Sequence, residues 1–252
     1  MKRLALCLYV LFVLTSYCNA DTLLIDQRNP YLSYGYGLSL WDNMTGALNS
    51  EFGVGNIMVT SATLDNVANL SSYDALWLTA RQPDDVLSAA EQTALSAYIA
   101  AGHRVALIGE NGNWTSWNNS ILALVGGSYS GIDTSATLIP VLVHPLTAGI
   151  TSWNTIADGI ATGGTPLFDK NVATLWQPAQ NVVSVLSVNA IDDTCGASAG
   201  NLQFENNLSV WLNSGASSVV PEPSSLTLLG LGLACFGSVA WLKKRKTKVV
   251  SA

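Results

Sequence analysis

Apolar positions along the chain fall into short continuous runs that alternate with helical repeats. Leu23-Leu24-Ile25 is an apolar triplet ending in Asp26. After a Tyr/Gly-rich stretch over residues 31–37, Trp41, Met44, Leu48 and Phe52 recur at the spacing of one helix face, and Gly53 supplies the stop. Ile57-Met58-Val59 and Ala75-Leu76-Trp77-Leu78 predict a second and a third strand. Ser88-Ala89-Ala90-Glu91 has the form of a capping box, in which each side chain bonds the other residue's free backbone N–H. It opens a helix with Leu95, Tyr98 and Ile99 on one face, and Gly102 stands where a left-handed residue ends it. Val105-Ala106-Leu107-Ile108 follows as a wholly apolar strand, the pattern of a parallel sheet covered on both faces. Trp117, Ile121 and Leu124 mark another helix before Gly126-Gly127. Farther on, residues 138–143, 173–176 and 182–188 read as strands with little helix between them, and Phe204, Leu208, Trp211 and Leu212 make a closing helix. Strand–helix alternation predicts an α/β domain over residues 21–213, with an open, mainly parallel sheet and helices on both faces. Residues 214–220 read as a linker.

Two further apolar runs lie at the ends. In residues 1–20, Lys2 and Arg3 precede an apolar run over residues 4–14, and Cys18-Asn19-Ala20 offers a signal-peptidase cleavage site. A lipoprotein reading would acylate Cys18, with the bulky Tyr17 in front of it. Residues 226–242 are free of charge, and a helix of that length falls a little short of a hydrocarbon core of about 30 Å. The run contains Gly230, Gly232 and Gly237, which lower helix propensity. The basic cluster from Lys243 onward predicts a cytoplasmic end, with everything before the run outside the inner membrane. An ordinary single-pass anchor is one reading of this segment.

Charge sharpens the picture. Of the 252 residues only 11% are charged, and the overall balance is −6. Between Asp21 and Val220 only Arg28, Arg81, Arg104 and Lys170 oppose sixteen acids, a net −12. Such a surface repels phosphate backbones, so nucleic acid is excluded as a partner. Removal of the signal peptide leaves Cys195 as the sole cysteine outside the apolar C-terminal run, so no internal disulfide can form there.

Directly before the C-terminal run stands Val220-Pro221-Glu222-Pro223-Ser224. Pro221-Glu222-Pro223, a Gly/Leu-rich span and a terminal Lys/Arg cluster, in that order over residues 221–248, resemble the PEP-CTERM sorting signal of Gram-negative bacteria. The resemblance implies processing by an exosortase after passage through the inner membrane, and delivery to the cell surface or exopolysaccharide matrix. A GPI signal lacks a basic cytoplasmic end, and the Leu-Pro-x-Thr-Gly of a sortase signal is absent.

Tyr73-Asp74-Ala75-Leu76-Trp77-Leu78, the helix from Ser88, the strand into Gly109-Glu110-Asn111-Gly112 and the run His144-Pro145-Leu146-Thr147-Ala148-Gly149 together resemble a class I glutamine amidotransferase-like domain. In that family the turn after the fourth strand carries a nucleophilic Cys between glycines, paired with a downstream His-x-Glu. Here Glu110 and Asn111 occupy the turn, and the only histidines are His103 and His144. The resemblance therefore implies the fold without glutamine hydrolysis; no catalytic residue, metal ligand or cofactor is assigned. Gly196-Ala197-Ser198-Ala199-Gly200 matches the G-x-S-x-G pattern, but no strand signal precedes it and no His follows. Asp84-Asp85 and Asp192-Asp193 suit helix starts or solvent better than a calcium loop. Glu110 would lie at the carboxyl end of a central strand, where open α/β sheets place their ligand crevice. With Asn111, Trp114 and Trp117 it forms a candidate surface for sugars, through amide hydrogen bonds and indole stacking; the competing reading has the tryptophans in the core and the asparagines as caps. The expectation is an exported binding or structural protein, possible partners being exopolysaccharide, exosortase and signal peptidase. The alternative is a glycan hydrolase using Glu110 and a second carboxylate.

Overall fold

The computed structural model describes residues 21–134, 137–176, 180–193 and 198–214. The signal-peptide region, Cys195, the Pro-Glu-Pro segment and the apolar run over residues 226–242 lie outside the described residues. Among the described residues no helix is long and apolar enough to cross a membrane.

Four short strands, β1 (Leu23–Asp26), β2 (Ile57–Thr60), β3 (Ala75–Leu78) and β4 (Arg104–Ile108), pair in parallel in the order β2-β1-β3-β4. Strand β11 (Val182–Val185) extends this set in parallel beside β4. Then β10 (Ala173–Trp176) and β9 (Thr165–Pro166) add antiparallel neighbours, so the seven-stranded sheet is mixed though mostly parallel.

Alternation along the strands sends side chains to two cores. Leu23 and Ile25 on β1 face the layer that holds α1 (Asp42–Phe52) and α5 (Ala199–Asn213), through Trp41, Met44, Leu48, Phe204, Leu208 and Leu212. Leu24, between them, faces α2 (Val67–Leu70), α3 (Ala89–Ala100) and α4 (Thr115–Leu122), through Leu70, Leu95, Tyr98, Trp117 and Ile121. The wholly apolar strands are buried on both faces because both faces are covered.

Helix boundaries follow local chemistry. Ser88 Oγ accepts from Glu91 N–H at 3.2 Å and Glu91 returns the bond to Ser88 N–H at 3.0 Å, closing the capping box that opens α3. Gly102 leaves that helix with φ of 93°, a conformation open to glycine.

The region between α4 and β10 departs from the sequence reading. Residues 138–143 contribute only Leu138 to a strand, the two-residue β6 (Thr137–Leu138) paired with β7 (Trp153–Asn154). Val141 and Val143 point outward, so the apolar run is not a buried strand. Instead β5 (Ser128–Asp133) and β8 (Asp158–Thr162) form an antiparallel ribbon outside the main sheet. The 182–188 run ends its strand at Val185 and continues into a 3-10 turn at Val188–Ile191.

Candidate functional site

The order β2-β1-β3-β4 reverses direction between β1 and β3, and the crevice at the carboxyl ends of such strands is the usual ligand position. Here protein side chains fill it. Asp26, the last residue of β1, accepts from Arg81 Nε at 3.0 Å and from Arg81 Nη2 at 2.6 Å. Arg81 also reaches Glu91 at 3.4 Å, and Arg28 pairs with the same carboxylate. Burial alone would raise Glu91, but the Ser88 N–H, Arg28 and Arg81 outweigh it and hold its carboxyl down at about 2. Trp117 lies beneath the guanidinium of Arg81, 4.8 Å from the ring centre. Two of the four cations in the exported segment are thus drawn into this one cluster. Sequence reading counted those cations without locating them; Asp26 at a strand end was the available signal.

One strand farther along, Glu110 stands just past β4, only 3% exposed. Asn118 on α4 clamps its peptide, accepting from Glu110 N–H at 3.1 Å and donating to Glu110 C=O at 2.5 Å. Gly109 must be glycine because a Cβ there would collide with Asn118 Oδ1. The carboxylate is engaged on both oxygens: Asn111 Nδ2 donates to Oε1 at 2.9 Å and Val188 N–H to Oε2 at 2.7 Å. Burial nevertheless lifts Glu110 to about 7, with the charge of Asp158 adding to the rise.

Asn111 caps the following 3-10 turn through Asn113 N–H. Trp114 and Trp117 are buried, their indole N–H groups donating to Arg81 C=O and Ile108 C=O. The structure thus keeps Glu110 and Asn111 together but turns both indoles inward, so neither ring face is presented to solvent for stacking. Helical spacing of tryptophans suits a core and a binding platform equally, and here the core claims them.

The β5–β8 ribbon covers this turn. Gly159 N–H donates to Leu186 C=O at 2.7 Å, seating β8 above the end of β11. The ribbon brings Asp158, fully buried and raised to about 6 by burial first and by Asp133 second, against the hydroxyls of Thr155 and Ser187, which lower it. It also brings Tyr129, whose hydroxyl is buried without a partner among the described residues and is pushed up by burial and by the charge of Glu110. Ala157, next to Asp158, has φ of 53°, and Asn29 and Leu32 in the loop after β1 have φ of 47° and 48°. Glu110, Asp158 and Tyr129 form one electrostatically linked cluster, of which the sequence reading had Glu110 alone.

The other sequence candidates have structural duties. Ser198 caps α5 by accepting from Asn201 N–H at 3.3 Å. Asp193 receives Asp42 N–H and Asn43 N–H at 2.7 and 2.9 Å and so caps α1 from a distant loop. Asp85 accepts from Asn29 Nδ2 at 3.4 Å. His144 Nδ1 accepts from Leu146 N–H, and His103 stacks on Tyr98 with ring centres 4.2 Å apart. Among the described residues no group of three His, Cys, Asp or Glu side chains could hold a metal ion.

Residues 219–246 match the PEP-CTERM protein-sorting motif. The chain is an exported protein, sorted at the membrane or surface and processed by an exosortase. No curated protein is similar to it in sequence. Among solved structures it is similar to the mmIFT52 N-terminal domain, with TM-score 0.57 and 14% identity over 75% of this chain and 100% of that one. It is also similar to a GMP synthase component from Thermoplasma acidophilum (TM-score 0.46, 12% identity, 76% and 94% covered). A ThuA-like protein from Bacteroides uniformis is similar at TM-score 0.49 and 12% identity, with 78% and 94% covered.

Proposed function

We propose that this chain is a surface or extracellular-matrix protein of a Gram-negative bacterium whose α/β domain has a binding or structural role, with exopolysaccharide as the ligand to test, and not a catalytic one. The observation that carries the reading is the state of Glu110. Where an amidotransferase would expose a nucleophile, this chain has a buried carboxylate tied on one side to Asn111 and on the other to Val188 N–H. Those bonds hold the turn to the loop after β11 and keep both carboxylate oxygens engaged within the protein. The neighbouring switch point is likewise occupied by the Asp26–Arg81–Glu91 cluster. Chemistry at either place would first have to displace buried, charge-assisted hydrogen bonds.

A second reading rests on one specific observation. Glu110 and Asp158 are buried carboxyls raised, chiefly by burial, to about 7 and about 6, with the charge of Asp158 adding to the rise of Glu110, the protonation range of an acid–base pair acting on glycosidic bonds. The two readings separate experimentally. The full chain, incubated with exopolysaccharide from a host that carries an exosortase, should co-sediment with the polymer and release no reducing ends. Reducing-end release that disappears in Glu110→Gln would replace binding with hydrolysis. Absence of both co-sedimentation and release would leave a structural role alone.

A further inference from the structure

The β5–β8 ribbon is fastened to the body of the domain differently at its two ends. Where Ser128 pairs with Thr162, Asn171 Nδ2 donates to the carbonyls of Ala161 and Gly163 at 2.9 and 3.0 Å, and Ala161 N–H donates to Asn171 C=O at 2.9 Å. Tyr129 N–H donates to Asn119 Oδ1 on α4 at 2.9 Å. Both strands close there on one buried indole. A Cβ on Gly127 would lie 2.2 Å from the Trp176 ring, and one on Gly163, where φ is 101°, would lie 3.2 Å from it. That end cannot move without unpacking the tryptophan.

The other end is held by little and loaded with charge. Asp133 on β5 stands directly opposite Asp158 on β8, a like-charge pairing that opposes the ladder. Lys170, with Asp169 beside it, answers Asp133 at 2.9 Å. Among the described residues no ion pair reaches Asp158 or Glu110. The groups facing these two carboxyls are Tyr129 and Asp133 from β5, the Ser187 hydroxyl and Val188 N–H from the loop after β11, and Asn111 past β4. The Thr155 hydroxyl and the Ile156 backbone approach from the stretch before β8, and α4 adds only the neutral Asn118. None of these is a cation. Apolar grip is equally thin: against Gly112 the ribbon sets Ile132, itself 59% exposed, and the hydroxyl of the half-buried Tyr129.

We propose that the ribbon is a pH-released strap over the Glu110 turn: it lies shut in acid solution, and its Asp158 end parts from the turn as Glu110 and Asp158 ionise, pivoting on the end clamped at Trp176. Two carboxylates under one cover, with no cation between them, repel most strongly while the cover keeps water out. Closed, Asp158 holds its proton up to about 6 and Glu110 up to about 7, both chiefly through burial. Opened to water, each returns towards an ordinary value near 4. Opening therefore releases protons, and by linkage it becomes easier as pH rises from about 4 through 7. The bonds that Glu110 accepts from Asn111 and Val188 lie on the body side and survive, so the turn keeps its shape while the strap moves. The bond that must break is the one near the charged end, Gly159 N–H to Leu186 C=O at 2.7 Å. In alkaline surroundings the Glu110–Asn111 turn, at the carboxyl end of β4, is thereby bared.

Amide hydrogen exchange of the full chain in mild detergent, followed by NMR and corrected for the intrinsic rate at each pH, reads the motion. Between pH 5 and 8 the Gly159 amide should lose protection at least about tenfold relative to Ala161, Trp77 and Leu107, which report the clamped end and global unfolding. Asp158→Asn and Glu110→Gln should each hold that ratio closer to its value at pH 5, because a carboxamide does not ionise. Lys170→Met, at an exposed position, leaves Asp133 unanswered and should bring the loss to lower pH. If Gly159 keeps pace with Ala161 at every pH, the strap does not open and the proposal is overturned. A loss that persists unchanged in both carboxamide variants overturns it as well, since ionisation is then not its cause.

Discussion

Gly159 of the β5–β8 ribbon passes so close to Glu110 that a Cβ on it would lie 2.5 Å from the Glu110 carbonyl oxygen. The obstacle is backbone, held from the other side by Asn118, so it cannot swing aside as a side chain could. The contact explains why a strand of the sequence Asp-Gly-Ile-Ala-Thr can lie flat on the turn.

Gly159→Ala should lift the ribbon off the turn. Overpacking at a site this tight costs about 1–3 kcal/mol. Urea unfolding of the full chain should show that loss, and Tyr129, seated against the same turn, should become more accessible to nitration. An unchanged unfolding midpoint would mean the ribbon is not seated as described.

The switch-point cluster makes a sharper stability prediction. Arg81→Met keeps most of the side-chain volume but leaves Asp26 and Glu91 buried without their shared cation. Breaking a buried pair from one side costs about 3–5 kcal/mol. Adding Asp26→Leu to that variant removes one stranded charge and should recover part of the loss. The coupling is read from a double-mutant cycle in urea; strict additivity would deny it.

Much of the parallel half of the fold is legible in the sequence because its signals are strong and local. Four apolar runs, a capping box at Ser88 and a stop at Gly102 each have one reading. The ribbon is not legible for the opposite reason. Along Ser128–Asp133 burial alternates between exposed and intermediate, with Ile132 turned outward, so no apolar period announces a strand. Residues 138–143 mislead in the other direction, since Val141 and Val143 are apolar yet exposed. The site divides in the same way. Glu110 is placed by the end of β4, whereas Asp158 and Tyr129 join it only through the ribbon, and the inward turn of Trp114 and Trp117 depends on which groups their N–H atoms find.

Stability should peak in mildly acidic solution. Glu110, Asp158 and Glu205 are raised to about 7, 6 and 8, in each case chiefly by burial. A raised carboxyl contributes stability that is complete below its unfolded value, near 4, and is lost as pH rises through 6 to 8. Glu91, held at about 2, acts oppositely: its contribution is present above its unfolded value and fades as pH falls from there towards 2. Denaturant midpoints should therefore be highest near pH 4, where the unfolded carboxyls titrate, and decline towards pH 8 by an amount on the order of several kcal/mol in total. Glu205→Gln should flatten the alkaline limb. A profile rising from pH 5 to 9 would contradict the burial of all three carboxyls.

The sorting prediction turns on two prolines. Pro221 and Pro223 have no backbone N–H and fix φ near −65°, so a helix continued from the apolar run through Glu222 would lose bonds at both positions. Two prolines that offer no backbone donor mark Pro221-Glu222-Pro223 as the segment a processing enzyme would read, and the basic cluster from Lys243 is expected to stop translocation behind it. In an exosortase-positive host the wild-type chain should lose its C-terminal segment and reach the surface or medium. Changing Pro221, Glu222 and Pro223 together to alanine restores the backbone donors and removes the carboxylate, so the uncut form should accumulate in the inner membrane. Immunoblots of fractionated cells, with one epitope placed before Pro221 and another after Lys248, follow both halves. If the alanine variant is cut and exported as efficiently as wild type, then Pro221, Glu222 and Pro223 are not what the exosortase reads. If neither form is cut in that host, residues 226–242 act as a permanent anchor.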